Sequence, residues 1–301
     1  LELQQRNVQI YSTGGTFKYI DQLGAKAIRV EEITNYPSIL GGRVKTLHPL
    51  VFGGILGRRG EISDQNEFES FNIPEIDMVV VDLYPFEKTL TSTDDEKEII
   101  EKIDIGGISL IRAAAKNFND VVVVPSKDSI DDVLHILRKN GGGSYLEQRK
   151  QLAAKAFQIS SHYDTAIFDY FNRDVNLPGC KLSLDSSVLL RYGENPHQEG
   201  IFHGRLEEVF EQLHGKTISY NNLNDIDAAI NLIKDFQDTT FAILKHTNAC
   251  GLASRNNLTE AWKDALAGDP VSAFGGILIT NQSLDKQTAD EINNLFFEVI
   301  L

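Results

Sequence analysis

The 301-residue sequence has little sulfur and little tryptophan: two cysteines, one methionine and one Trp. Cys180 and Cys250 make no CxxC pair, which argues against a disulfide framework and a zinc-finger-type site and fits a reducing, cytoplasmic setting. No run of about 18 apolar residues occurs, so no transmembrane helix is expected, and no signal peptide opens the chain. Positive charge is also scarce: 29 Lys and Arg against 43 Asp and Glu leave a formal charge of −14. A field of that sign repels nucleic acid and acidic membranes, so neither is an expected partner. An anionic substrate would need a local basic pocket working against it. The apolar share, 42 %, is ordinary for a globular protein and sufficient for one large domain or two ordinary ones.

What the sequence does have is strand–helix alternation. Apolar runs at 8–12, 77–85, 121–125, 241–246 and 275–280 read as buried strands. Their unalternating Val and Ile suit parallel strands covered on both faces. Leu152, Ala156, Ile159, Tyr163, Ile167 and Tyr170 recur at steps of three and four, which predicts a long helix over 146–171. The stretch 99–118 reads as two helices broken at Gly106–Gly107, and the terminal "EINNLFFEVIL" as a helix. Such alternation implies an α/β protein. The aperiodic segment 172–187, with Pro178–Gly179, is the best boundary, giving expected domains at 1–178 and 188–301.

Several motifs carry chemistry. In "YSTGGT" (11–16), Gly14 and Gly15 let backbone approach a ligand, Thr13 and Thr16 offer hydroxyls, and a helix N-terminus follows. It reads either as a phosphate cradle or as a plain strand–helix turn. In "LGGRVKTLHP" (40–49), Arg43 and Lys45 alternate, so an extended chain would point both to one side, with Thr46 adding a donor. His48, before Pro49, reads as a structural hydrogen-bonding residue. "DLYPF" (82–86) puts Asp82 and Tyr84 at a strand's carboxyl end, where open sheets bind ligands. "DIGGISLIRAAAKN" (104–117) offers Asp104 as an N-cap, with Lys116 about three turns later. In the second half, "LLRYGENPHQ" (189–198) clusters Arg191, Tyr192 and His197, and "SYNNLNDIDAA" (219–229) places Asn222 and Asp225 at a helix start. "SAFGGI" (272–277) brings Gly275 to a strand. In "LKHTNACG" (244–251), Lys245 and His246 share a pocket only if the strand ends between them. A neighbouring lysine disfavours a protonated imidazole, which suits a general base.

These motifs, in this order over essentially the whole chain, closely resemble the bifunctional purine biosynthesis family, which joins an IMP cyclohydrolase domain to an aminoimidazole carboxamide ribonucleotide (AICAR) formyltransferase domain. The resemblance implies a methylglyoxal-synthase-like, doubly wound parallel sheet domain, followed by a cytidine-deaminase-like α/β transformylase domain without that fold's metal. It implies formyl transfer from 10-formyltetrahydrofolate, a co-substrate, to AICAR, then dehydrative closure of formyl-AICAR to IMP, with no metal. Thr13, Gly14, Gly15, Thr16, Arg43, Lys45 and Thr46 would hold phosphate. Asp104 and Ile105 would contact the base, Asp82 and Tyr84 would line the site, and Lys116 would donate and accept the proton. In the second domain His246 would be the base and Lys245 the oxyanion stabiliser. Arg191, Tyr192, Asn222, Asp225 and Gly275 would bind the nucleotide, with His197 in support.

The sequence departs from the family at several points. The family's first strand and its "SVSDKTG" loop, expected before Leu1, have no counterpart, and the transformylase domain continues for roughly another domain's length. Asp82 stands where Asn is usual, and Ala249 where bacterial members usually have Pro. The expectation is therefore a chain truncated at both ends, with little transformylase activity, from a protein that is a homodimer when whole. A non-catalytic phosphate-sensing module and a methylglyoxal synthase are the competing readings; neither uses the motifs after residue 188.

Overall fold

The computed structural model describes residues 2–301. The chain divides into two compact units, Leu1–Ser183 and Leu184–Leu301.

In the first unit β1 (Tyr11–Ser12) pairs in parallel with β2 (Ile28–Arg29), and β3 (Met78–Val80) in parallel with β4 (Val122–Val124). The strands are short, and the assigned sheets are two-stranded pairs rather than one continuous sheet. Between β3 and β4 runs the helix Ile105–Lys116, packed on both strands. That is the crossover geometry parallel neighbours require. It places the start of the helix at the carboxyl ends of β3 and β4, and Lys116 at the opposite edge. Val121 to Val124 are all buried, with Ile111, Ala114, Leu152 and Ala156 packed around them. The long helix Leu146–Val175 supplies the last two and covers β4.

The expected break at Gly106–Gly107 lies instead at 102–104, between the helices Glu96–Glu101 and Ile105–Lys116. Asp104 is the reason. Its carboxylate accepts the Gly107 N–H at 2.6 Å, so both glycines fall inside the first turn.

The second unit holds a four-stranded sheet in the order β10 (Phe297–Ile300), β9 (Gly276–Thr280), β7 (Thr240–Lys245), β8 (Asn248–Ser254). A separate antiparallel pair joins β5 (Ser187–Leu189) to β6 (Ile201–His203). The parallel reading of 241–246 does not hold: β7 is antiparallel to both neighbours, and only β9 and β10 are parallel. Its unalternating apolar run has another cause, since both faces of the sheet are covered. Phe241 and Ile243 pack against the helix Leu258–Gly268, with the Phe241 ring edge-on to Trp262 at 5.1 Å. Ala242 and Leu244 pack against Ala229 and Ile233 of the helix Tyr220–Ile233. The expected terminal helix is likewise corrected. A helix at Lys286–Ile292 ends before "FEVI", which forms β10 beside β9 because its apolar residues complete the sheet core.

Candidate functional sites

In the first unit the glycine-rich loop begins the helix Gly14–Gln22. Thr13 is its N-cap with extended backbone, yet its hydroxyl makes no capping bond and is free for a ligand. Gly14, Gly15 and Thr16 are exposed, and Gly14 has φ +49°, a conformation that favours glycine. Lys45 stands over this loop: a Cβ added to Gly14 would lie 3.6 Å from Lys45 Nζ, and one on Gly42 2.9 Å from it. Thr46 reaches the start of the 105–116 helix, its Oγ1 lying 3.4 Å from a Cβ added to Gly106. Three segments distant in sequence therefore meet at one edge: the 13–16 loop, Lys45–Thr46 and Asp104–Gly106.

Arg43 does not lie beside Lys45. Leu40, Gly41 and Gly42 all have positive φ, so the chain turns there instead of extending. Arg43 grips the Glu101 carboxylate with two nitrogens. The guanidinium holds Glu101 below the usual carboxylate range, and Glu101 keeps Arg43 more firmly protonated. Nothing in the sequence pattern pointed to Glu101. Tyr163, read only as a helix-face residue, has a structural task here. Its hydroxyl accepts the Asp104 N–H at 2.8 Å and donates to the Lys102 carbonyl at 2.7 Å, fixing the joint from which the 105–116 helix starts. Ile105 and Tyr84 are exposed. His48 caps the helix Pro49–Leu56, its Nδ1 accepting the Leu50 N–H at 3.2 Å. Lys116 is not brought to this edge. It ends the helix that Asp104 starts, about 18 Å away by the helical rise. It lies in an open groove of about 640 Å³ with Phe52, Phe118 and Lys150.

In the second unit the candidate residues gather at the carboxyl end of β7. His246 and Thr247 form a two-residue turn joining Lys245 to Asn248, with φ +52° and +62°. Positive φ at both positions is the signature of a type I′ hairpin turn. It is a strained choice for a β-branched threonine. The turn is pinned from outside, because Asp225 accepts the Thr247 N–H at 2.7 Å. Asp225 thus supports the turn, whereas the resemblance implies that it contacts nucleotide. Lys245 Nζ donates to the Phe274 carbonyl at 2.6 Å, next to Gly275, whose φ is +70°. Arg191 and Tyr192 are held beside the start of the 220–233 helix by the bonds Arg191 N–H to Ile218 O and Tyr220 N–H to Tyr192 O. Arg191 lies over the Tyr192 ring, 4.9 Å from its centroid, and donates to Asn222 Oδ1 at 3.4 Å. Buried Asn222 accepts from Ser219, the helix N-cap, so much of its capacity goes to capping. Glu298 approaches Arg191 to 3.9 Å, a neighbour no motif suggested. His197 is exposed in the 193–198 turn. Among the described residues no group of three His, Cys, Asp or Glu is placed to hold a metal ion.

Two successive α/β units, one built on parallel strand pairs and one on a mixed sheet, each gather polar side chains at strand ends; that is the layout of a two-domain α/β protein with a candidate site in each unit. The comparisons agree with this class. The family model described as AICARFT/IMPCHase bienzyme matches residues 114–301, and that described as MGS-like domain matches residues 1–109. The chain belongs to the AICARFT/IMPCHase bienzyme family. It is 58 % identical over 300 residues to the bifunctional purine biosynthesis protein PurH of Bacteroides thetaiotaomicron, covering 100 % of this chain and 59 % of that protein. It is 42 % identical to the PurH of Acetivibrio thermocellus, covering 100 % and 60 %. The chain thus spans about 60 % of the length of the curated relatives it matches. A solved structure titled "Crystal structure of ForH" is 36 % identical, covering 56 % of this chain and 88 % of that one, with a TM-score of 0.46.

Proposed function

We propose that the protein to which this chain belongs catalyses the last two steps of purine nucleotide synthesis: formyl transfer from 10-formyltetrahydrofolate to AICAR, and dehydrative closure of formyl-AICAR to IMP. Membership of the bienzyme family supports this reading. The observation that carries its cyclohydrolase half is the meeting of the 13–16 loop, Lys45–Thr46 and the Asp104–Gly106 helix start at one edge. Backbone N–H groups of two helix starts, a lysine and three threonine hydroxyls suit a nucleotide phosphate and its neighbouring polar groups. Ring closure is intramolecular, so holding amide nitrogen and formyl carbon together supplies much of the rate without a cofactor. A cation beside the formyl oxygen stabilises the developing oxyanion. Lys45 is the lysine that stands over the 13–16 loop at this edge, and its position supports giving it that task. Lys116, implied by resemblance as the proton carrier, sits a helix length away.

For formyl transfer, His246 is proposed as the base for the AICAR amine and Lys245 as the oxyanion stabiliser; its ammonium gives one of three N–H groups to the Phe274 carbonyl and keeps two for the oxyanion. Arg191, Tyr192 and Asn222 are proposed to bind the nucleotide. The protein is proposed to be a cytoplasmic homodimer using no metal. The deciding experiment follows IMP formation from formyl-AICAR in the full-length protein. IMP formation reduced at least a hundredfold in Lys45→Ala is the expected result. Loss in Lys116→Ala with Lys45→Ala unaffected would reverse the assignment of the two lysines, and no IMP from the unaltered protein would refute the cyclohydrolase reading.

A further inference from the structure

Asp82 follows β3 and Lys127 follows β4, so both stand at the carboxyl ends of two adjacent parallel strands. This is the edge at which the 105–116 helix begins and Thr46 meets Gly106. An unpaired carboxylate there would repel a phosphate. Asp82 is paired twice by one residue: Lys127 Nζ lies 2.8 Å from Oδ2, and the Lys127 N–H donates to Oδ1 at 3.2 Å. The two side chains are 43 % and 78 % exposed, too open for the pair to contribute much to folding. Its consequence is local. It pins the carboxylate in place and cancels its charge.

We propose that Lys127 is a positioning residue of the anion-binding edge, neutralising Asp82 so that the substrate phosphate does not meet an uncompensated Asp82 carboxylate at the end of β3. Lys127 does not itself contact substrate. The aspartate also keeps the ammonium charged, since its hydrogen bond and charge push the Lys127 pKa up.

The inference rests on the cyclohydrolase reading, and a double-mutant cycle on the full-length protein separates the two. KM and kcat for formyl-AICAR are measured in the unaltered protein, Lys127→Ala, Asp82→Asn and the double variant. If the unaltered protein makes no IMP, the functional reading fails first. If it does, Lys127→Ala raises KM about fourfold, as Coulomb's law gives for a unit charge and a dianion about 10 Å apart in water. The kcat stays unchanged, and the rise in KM shrinks at high salt. In the Asp82→Asn background the same Lys127→Ala change no longer raises KM, whereas a merely structural lysine would raise it in both backgrounds. An unchanged KM in Lys127→Ala overturns the inference. So does an equal rise in KM when Lys127→Ala is added to Asp82→Asn, which would make Lys127 a direct phosphate ligand.

Discussion

Replacing Tyr163 by Phe removes one oxygen and, with it, both bonds at the joint where the 105–116 helix starts. The ring is 7 % exposed and packs edge-on to Phe86 at 6.0 Å, so Tyr163→Phe leaves the packing intact. The Asp104 N–H and the Lys102 carbonyl lose their shared partner. Each lost bond costs about 1 kcal/mol net, and more where water does not replace it, so the total is about 2 kcal/mol. With a urea dependence of about 2 kcal/mol/M, the midpoint falls by about 1 M at unchanged slope. Tyr163→Ala loses the ring as well and falls further, by about 3 kcal/mol more. Burial pushes the phenol above its usual value. Its contribution is therefore complete below the unfolded phenol pKa and is lost as pH rises through the folded one; the Tyr–Phe difference should stay constant from neutral pH up to about 10. Equilibrium urea unfolding, monitored by circular dichroism, measures all three. A Tyr163→Phe midpoint within about 0.2 M of the original would refute the reasoning, because the hydroxyl would then hold nothing together.

Other predictions follow from single contacts. A Cβ on Gly251 would lie 1.8 Å from the Ala265 carbonyl oxygen, so Gly251→Ala forces β8 off the 258–268 helix; it should cost about 3 kcal/mol or yield insoluble protein, as read by unfolding midpoint and soluble yield. Thr247→Gly removes a β-branched residue from φ +62° and should stabilise the second unit by about 1 kcal/mol, visible as a raised thermal midpoint; a lowered midpoint would mean that the hydroxyl bond to the His246 carbonyl outweighs the strain. Arg43 holds the Glu101 carboxyl below its usual range, so the pair's stabilisation is complete above the unfolded carboxylate pKa and is lost as pH falls through the folded value. The midpoint difference between the unaltered protein and Glu101→Gln should accordingly be largest at neutral pH and vanish on acidification. Exposed Cys180 should alkylate well before Cys250, whose thiol pKa is pushed up by burial, as mass spectrometry of the labelled peptides will show.

Some of this molecule is legible in the one-dimensional pattern. The buried runs, the long 146–175 helix and the Asp104 cap follow from periodicity and from the chemistry of individual residues, which act over a few positions. The grouping of Lys245, His246, Asn222 and Gly275 was implied by the family resemblance, and the structure brings their segments to one end of one sheet. Three outcomes were not legible. Strand direction in the second unit was misread because covering both faces of an antiparallel strand produces the same apolar run as a parallel one. Arg43 was misplaced because three consecutive positive-φ residues turn a chain that reads as extended. Lys116 was grouped with Asp104 at one site, and the pattern, read with a break at Gly106–Gly107, does not reveal that an unbroken helix carries it to the other edge.

The sequence by itself determined which segments are apolar, where helices start, which residues carry charge, and family membership. All of these are local, or are sums over local matches. Only the tertiary structure decided that Lys45 stands over Gly14 while Arg43 takes Glu101, that Asp225 supports the His246–Thr247 turn, and that Lys127 cancels the charge of Asp82. Each of those partners is 22 to 58 residues away along the chain. A pairing over such a span is set by how strands and helices pack, not by the residues between.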